Sequence, residues 1–88
     1  MYAIVTVVGQ DRVGIIAGVC TTLAKLNVNI LDISQTILQG SFTMVMSVDL
    51  EKAPPIAEIG SALTALGSEM GLSIRIQREE IFQAMHTI

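Results

Sequence analysis

Hydrophobic positions in this chain follow a two-residue period in four stretches and a three-to-four-residue period in two. Residues 2–8, YAIVTVV, are apolar on both alternating faces, with Ile4, Thr6 and Val8 on one and Ala3, Val5 and Val7 on the other. A β-branched run of that kind belongs in the middle of a sheet. Gly9-Gln10-Asp11-Arg12 interrupts it, and the period then changes. Ile16, Cys20, Leu23 and Leu26 recur at helical steps, with Val13, Ala17 and Ala24 beside them, which predicts a helix of about 14 residues. Asp11 is the expected N-cap, because its carboxylate can accept from an unpaired backbone N–H at the positive end of the helix dipole. Asn27 tolerates left-handed backbone and is the expected stop, and Lys25 suits the last turn.

Residues 28–38, VNILDISQTIL, read as a second strand, and Gln39-Gly40-Ser41 as a hairpin turn. The clearest alternation lies over 42–50: Phe42, Met44, Met46, Val48 and Leu50 share one face, Thr43, Val45, Ser47 and Asp49 the other. A loop over 51–55 follows, with Pro55 expected inside the first turn of the next helix. Ile56, Ile59, Leu63, Leu66 and Met70 mark that helix, and Gly71 ends it. Gly60 and Gly67 flank the apolar stripe, so close packing on the sheet is their expected role. In residues 72–78, Leu72, Ile74 and Ile76 point inward and Ser73, Arg75 and Gln77 outward.

Two βαβ units of similar length joined by a hairpin, each crossing over right-handed, give an α+β, ferredoxin-like βαββαβ fold. The expected sheet is antiparallel and four-stranded, in the order 4-1-3-2, with both helices on one face and the other face bare. Residues 1–79 form the single domain, and 80–88 an amphipathic tail. Ile81, Phe82, Met85 and Ile88 recur there at helical spacing, and the bare face is the surface expected to receive them.

Composition sharpens this picture. Of the 88 residues, 51% are hydrophobic and only 15% charged, and the mean hydropathy is +0.64. A domain this small buries only about 60–65% of its unfolded surface, so it carries more apolar side chain than one core absorbs. The longest nearly apolar stretch, residues 13–26, is shorter than the roughly 20 residues of a membrane span. Self-association into a homodimer is therefore expected, through the second strand or the bare face. The opening Met-Tyr-Ala-Ile-Val has neither a basic leader nor a cleavage site, which makes the cytoplasm the expected compartment. A net charge of −3, with Arg12, Lys25, Lys52, Arg75 and Arg78 scattered, does not suit a nucleic-acid partner. Cys20 is the only cysteine and is expected as an inert core thiol. Met44 and Met46 alternate inward and read as core, and His86 is the only histidine, so neither a metal, a cofactor nor a catalytic set is expected.

The segment with candidate chemistry is the first strand-to-helix turn, Gly9-Gln10-Asp11-Arg12-Val13-Gly14-Ile15-Ile16. Gly14 opens the helix and lets another group approach its unpaired N–H groups, a ready anion site. Arg12 is a cation suited to a carboxylate, and Asp11 could receive an ammonium. Together they describe a site for a free amino acid. The purely structural alternative is that Asp11 caps, Gly14 relieves crowding and Arg12 is solvated.

Asp-Arg-Val-Gly-Ile-Ile resembles the Asp-Arg-Pro-Gly-hydrophobic-hydrophobic turn of ACT domains, and Asn27-Val28-Asn29-Ile30 resembles the segment opening their second strand. The resemblance covers residues 1–79, and with the tail the chain looks most like small stand-alone bacterial and archaeal ACT proteins of unassigned function. It implies a non-enzymatic regulatory domain that binds an amino acid or similar small ligand between two copies and acts on an enzyme or regulator. It also implies Asp11, Arg12, Gly14, Ile15 and Asn29 as ligand-binding residues. Asp11 stands where some ligand-binding members carry Asn, Gly9 where some carry His, and Val13 where Pro is common. The helix between Gly14 and Asn29 is too long for them to meet within one chain, so a neighbouring subunit is expected to supply one of them. A protein-interaction or assembly module without a ligand is the alternative. An acylphosphatase-like enzyme is disfavoured by the Asp11 carboxylate, and an RNA-binding sheet by the absence of stacking aromatics at Thr43, Val45, Ser47 and Asp49.

Overall fold

A computed structural model describes residues 1–80 of the chain. The elements are β1 (Tyr2–Gln10), α1 (Ile15–Lys25), β2 (Asn29–Leu38), β3 (Ser41–Asp49), α2 (Ile56–Met70) and β4 (Leu72–Arg78). The sheet order is β2-β3-β1-β4, antiparallel throughout, the expected ferredoxin-like arrangement. Thr6 of β1 lies between Val45 of β3 and Arg75 of β4, so β1 is indeed central. Its molecular thickness of 20 Å matches one sheet under one layer of helices. The expected packing of residues 81, 82, 85 and 88 lies outside the described residues.

The core is a single cluster between the helices and one sheet face. Ala3, Val5 and Val7 of β1 and Phe42, Met44, Met46 and Val48 of β3 meet Ile15, Val19 and Leu23 of α1 and Ile59 and Leu63 of α2. Among the described residues no polar or charged side chain is buried with them. The other face carries Ile4, Thr6, Val45 and Ser47 half-buried and Val8 exposed.

Three expectations about the helices are corrected. The buried stripe of α1 is Ile15, Val19 and Leu23: Leu23 is buried as expected, but Ile15 and Val19 stand where Ile16 and Cys20 were expected. Nearly every position of this helix is apolar or small, so periodicity left its rotation ambiguous. Ile16 therefore faces outward at 39% exposure, Val13 is fully exposed, and Cys20 is half-buried rather than a core thiol. Pro55 is the N-cap of α2, with extended ψ, and lies just outside the first turn. Gly67 does support close packing: a Cβ there would stand 2.6 Å from the backbone oxygen of Leu72. Gly60 does not require it, since its Cβ would make ordinary contact with Ile76. Asn27 (φ 59) and Gly71 (φ 70) adopt the left-handed backbone expected where α1 and α2 end.

β2 is an edge strand, and every residue from 31 to 40 is exposed. A bulge at Leu31 shifts its register against β3. Beyond it Ile33, Gln35 and Ile37 pair with Met46, Met44 and Phe42, which places them on the helix-bearing face. Asp32, Ser34, Thr36 and Leu38 share the bare face. Gln39 (φ 53) and Gly40 (φ 78) form the two-residue turn into β3, both left-handed as a type I′ hairpin requires.

Candidate ligand site at the first strand-to-helix turn

β1 runs to Gln10, and four residues then carry the chain to Ile15. Gly14, not Asp11, is the N-cap of α1, and no side chain caps the helix. The expectation for Asp11 fails on distance along the chain: the cap is the residue directly before the helix. Gly14 has φ 91 and ψ 0, a conformation that strains residues with a Cβ, and the space where a Cβ would stand is open. The first intrahelical bond runs from the Gly18 N–H to the Gly14 carbonyl at 2.9 Å. The N–H groups of Ile15, Ile16 and Ala17 come before it and have no intrahelical acceptor. No acidic residue lies in the first turn.

The turn is fastened on both sides. The Asp11 N–H donates to the Gly40 carbonyl at 2.8 Å, tying it to the β2–β3 hairpin. Arg12 Nη1 donates to the Met70 carbonyl at 3.1 Å, at the last residue of α2. The guanidinium thus sits at the negative end of the α2 dipole, in a hydrogen bond exposed to solvent between the exposed Arg12 and the half-buried Met70.

Asp11, Arg12, Gly14 and Ile15 line one cleft of about 230 Å³, together with Ile16, Ala17, Gln35, Ile37 and Phe42. That is smaller than the roughly 300–1,000 Å³ of most small-molecule pockets, and its β2 wall is exposed. Asn29 is not part of it. It opens β2 opposite Asp49 and lines a separate cleft of about 280 Å³ with Asn27, Asp49, Glu51 and Lys52. The two clefts lie at opposite ends of α1, which spans about 16 Å.

Gln35 and Ile37 were not foreseen as part of the site. The available signal was parity: counting back from the hairpin in twos puts Ile37, Gln35 and Ile33 on the helix side, and Gln35 is the one polar side chain among them. Ile16 and Ala17 were missed because α1 was read in the wrong rotation. Among the described residues no three His, Cys, Asp or Glu side chains gather as a metal site would need, and His86 lies outside them.

A family model of the ACT domain matches residues 1–77. A UPF0237 protein of Listeria innocua is 51% identical over 89 residues, covering all of both chains. The structure of an ACT domain protein from Streptococcus pneumoniae superposes with a TM-score of 0.83 at 39% identity, covering all of this chain and 97% of that one. A formyltetrahydrofolate deformylase from Pseudomonas syringae gives a TM-score of 0.80 at 26% identity, over 86% of this chain but only 26% of that protein. The chain belongs to the ACT domain family, whose members are typically small-molecule-binding regulatory modules.

Proposed function

We propose that this ACT domain is a non-enzymatic cytoplasmic module that senses an amino-acid-like ligand and acts as a homodimer. The observation that carries the reading is the half-built cleft at Gly14. Unpaired N–H groups at the start of α1 face a gap that the glycine keeps open, a carboxylate (Asp11) and a guanidinium (Arg12) border it, and its β2 wall is exposed. A ligand carboxylate suits the helix N-terminus, and its ammonium suits Asp11. Asn29 would reach the ligand from a second copy, since its own chain holds it at the far end of α1. Regulation then requires that the ligand bind one arrangement of the subunits, or of a regulated enzyme or regulator, better than another.

The second reading, an assembly module with no ligand, is favoured by the bonds that fasten the turn. Arg12 is engaged on Met70 and the Asp11 N–H on Gly40, both within the fold.

A thermal-shift screen against the twenty amino acids separates the two. A ligand at 100 times its Kd adds about 2.7 kcal/mol of stability, and in a domain of this size each kcal/mol raises Tm by roughly 4–8 °C. The sensing reading expects such a rise with at least one amino acid and its loss in Asn29→Ala. No shift with any of the twenty favours the assembly reading.

A further inference from the structure

Gly60 lies inside α2 without a packing reason: a Cβ there would make only ordinary contact with Ile76, and a glycine weakens the helix. It sits where two clefts of about 390 Å³ each meet, both between α2 and the outer edge of β4. We infer that this groove and edge form a docking site for a short extended segment of another protein. That segment adds to β4 as a fifth strand, drops apolar side chains beside Gly60 and carries carboxylates toward Arg75 and Arg78. The inference does not depend on a ligand at the Gly14 cleft; it names the kind of protein segment that the module grips.

The backbone of β4 is turned the right way. The hairpin at Gln39 and Gly40 closes on a hydrogen-bonded pair, Leu38 and Ser41. Hydrogen-bonding direction alternates along a strand, so the odd-numbered residues of β3 address β2 and the even-numbered ones address β1. The Leu50 N–H continues that pattern, donating to the Met1 carbonyl at 2.8 Å. Ala3, Val5 and Val7 are the β1 partners of Val48, Met46 and Met44, which leaves Ile4, Thr6 and Val8 to bond β4 at Gln77, Arg75 and Ser73. Ile74, Ile76 and Arg78 therefore turn their N–H and C=O groups outward, where β4 ends the sheet. An added strand takes up those groups, antiparallel like every other pair in this sheet.

The groove fits what such a strand presents. Ile74 and Ile76 pair with Val7 and Val5 and so share the helix-bearing face. They form the floor of the groove, and Ile56, Ala57 and Thr64 of α2 form its wall. Residues directly opposite each other share a face, so the two residues of the added strand opposite Ile74 and Ile76 enter the groove. Gly60 lines both clefts and joins them, and a long side chain at this position would divide them.

Charge selects the occupant. The chain has a net charge of −3, yet two of its five cations, Arg75 and Arg78, line this groove. Among the described residues Arg75 enters no ion pair, and Arg78 meets Glu80 at 3.6 Å with both side chains exposed. A second copy would bring two more guanidinium groups to the seam, and basic side chains on an edge strand guard against such self-pairing. A strand with carboxylates beside its apolar residues meets the same edge with opposite charge.

Fluorescence anisotropy on the full chain, with a labelled peptide Ser-Glu-Ile-Glu-Ile-Glu-Ser, tests this. Saturable binding with a Kd below about 1 mM at low salt is expected. The peptide with lysine at the three glutamate positions should bind about tenfold more weakly, and Arg75→Glu should cancel that preference. N-methylation of either isoleucine blocks an N–H that faces β4 and should abolish binding, whereas at the central glutamate it should change the Kd by less than about twofold. Gly60→Leu fills the groove and should weaken binding about tenfold while the thermal midpoint holds or rises, leucine being the better helix former. The methylated peptides need no variant, so they decide the point even if Gly60→Leu unfolds. No saturable binding, equal binding of the lysine or isoleucine-methylated peptides, or undiminished binding by folded Gly60→Leu overturns the docking site. Light scattering along the titration identifies the occupant. An unchanged number of chains per particle supports a foreign strand; a fall as peptide binds shows that a second copy held the edge and overturns the inference.

Discussion

Gly14 shows how much a single backbone angle decides at this turn. The residue is surrounded by open space, so packing alone would accept an alanine, yet its φ of 91 would not. Gly14→Ala should therefore cost about 1 kcal/mol in urea unfolding, and Gly14→Asn less, because asparagine visits left-handed backbone more readily. Equal costs would mean that contacts rather than conformation govern the position. Gly67 presents the opposite case, an ordinary helical residue beside the backbone oxygen of Leu72. Alanine there gains up to about 1 kcal/mol of helix propensity but must push α2 from β4. A net loss of about 1–3 kcal/mol is expected, and a net gain by the same measurement would show that the two elements separate easily. Both glycines could be found in the sequence. Their different reasons could not, because a glycine that needs a dihedral angle and one that needs close approach are the same letter.

At the scale of elements, the strands were legible and the rotation of α1 was not. Phe42, Met44, Met46 and Val48 alternate with polar or smaller residues, and all four are buried as the alternation requires. A period of two against a polar face admits one solution. In α1 Ile15 and Ile16 are adjacent, and apolar or small residues encircle the helix, so two stripes about 100° apart fit equally well. Mutation separates them: Leu23→Ala should cost about 2–5 kcal/mol, and Ile16→Ala under about 0.5 kcal/mol when unfolding is followed in dilute solution. Comparable losses would mean that α1 is turned the other way. The same rotation explains why the site was only partly legible. Asp11, Arg12, Gly14 and Ile15 follow one another in the chain and do share a cleft, whereas Ile16, Ala17, Gln35 and Ile37 reach it only through the orientation of α1 and the register of β2.

For the whole molecule, the claim is that one chain holds two halves of a site at its opposite ends and that dimerisation joins halves from different chains. Such a site complements in trans. Gly14→Asp keeps a residue tolerant of left-handed backbone and sets a carboxylate where the ligand carboxylate would lie. Asn29→Ala removes the other half. Each variant alone should bind the best amino acid from the thermal-shift screen at least tenfold more weakly than the wild type, the loss of about 1.4 kcal/mol. When the two are co-expressed, each mixed dimer carries one doubly altered site and one unaltered site. Calorimetric titration of the mixture is the direct measurement. Recovery of wild-type affinity at roughly a quarter of the wild-type site number is the predicted result. No recovery, with both variants folded and dimeric, would contradict a site shared between subunits.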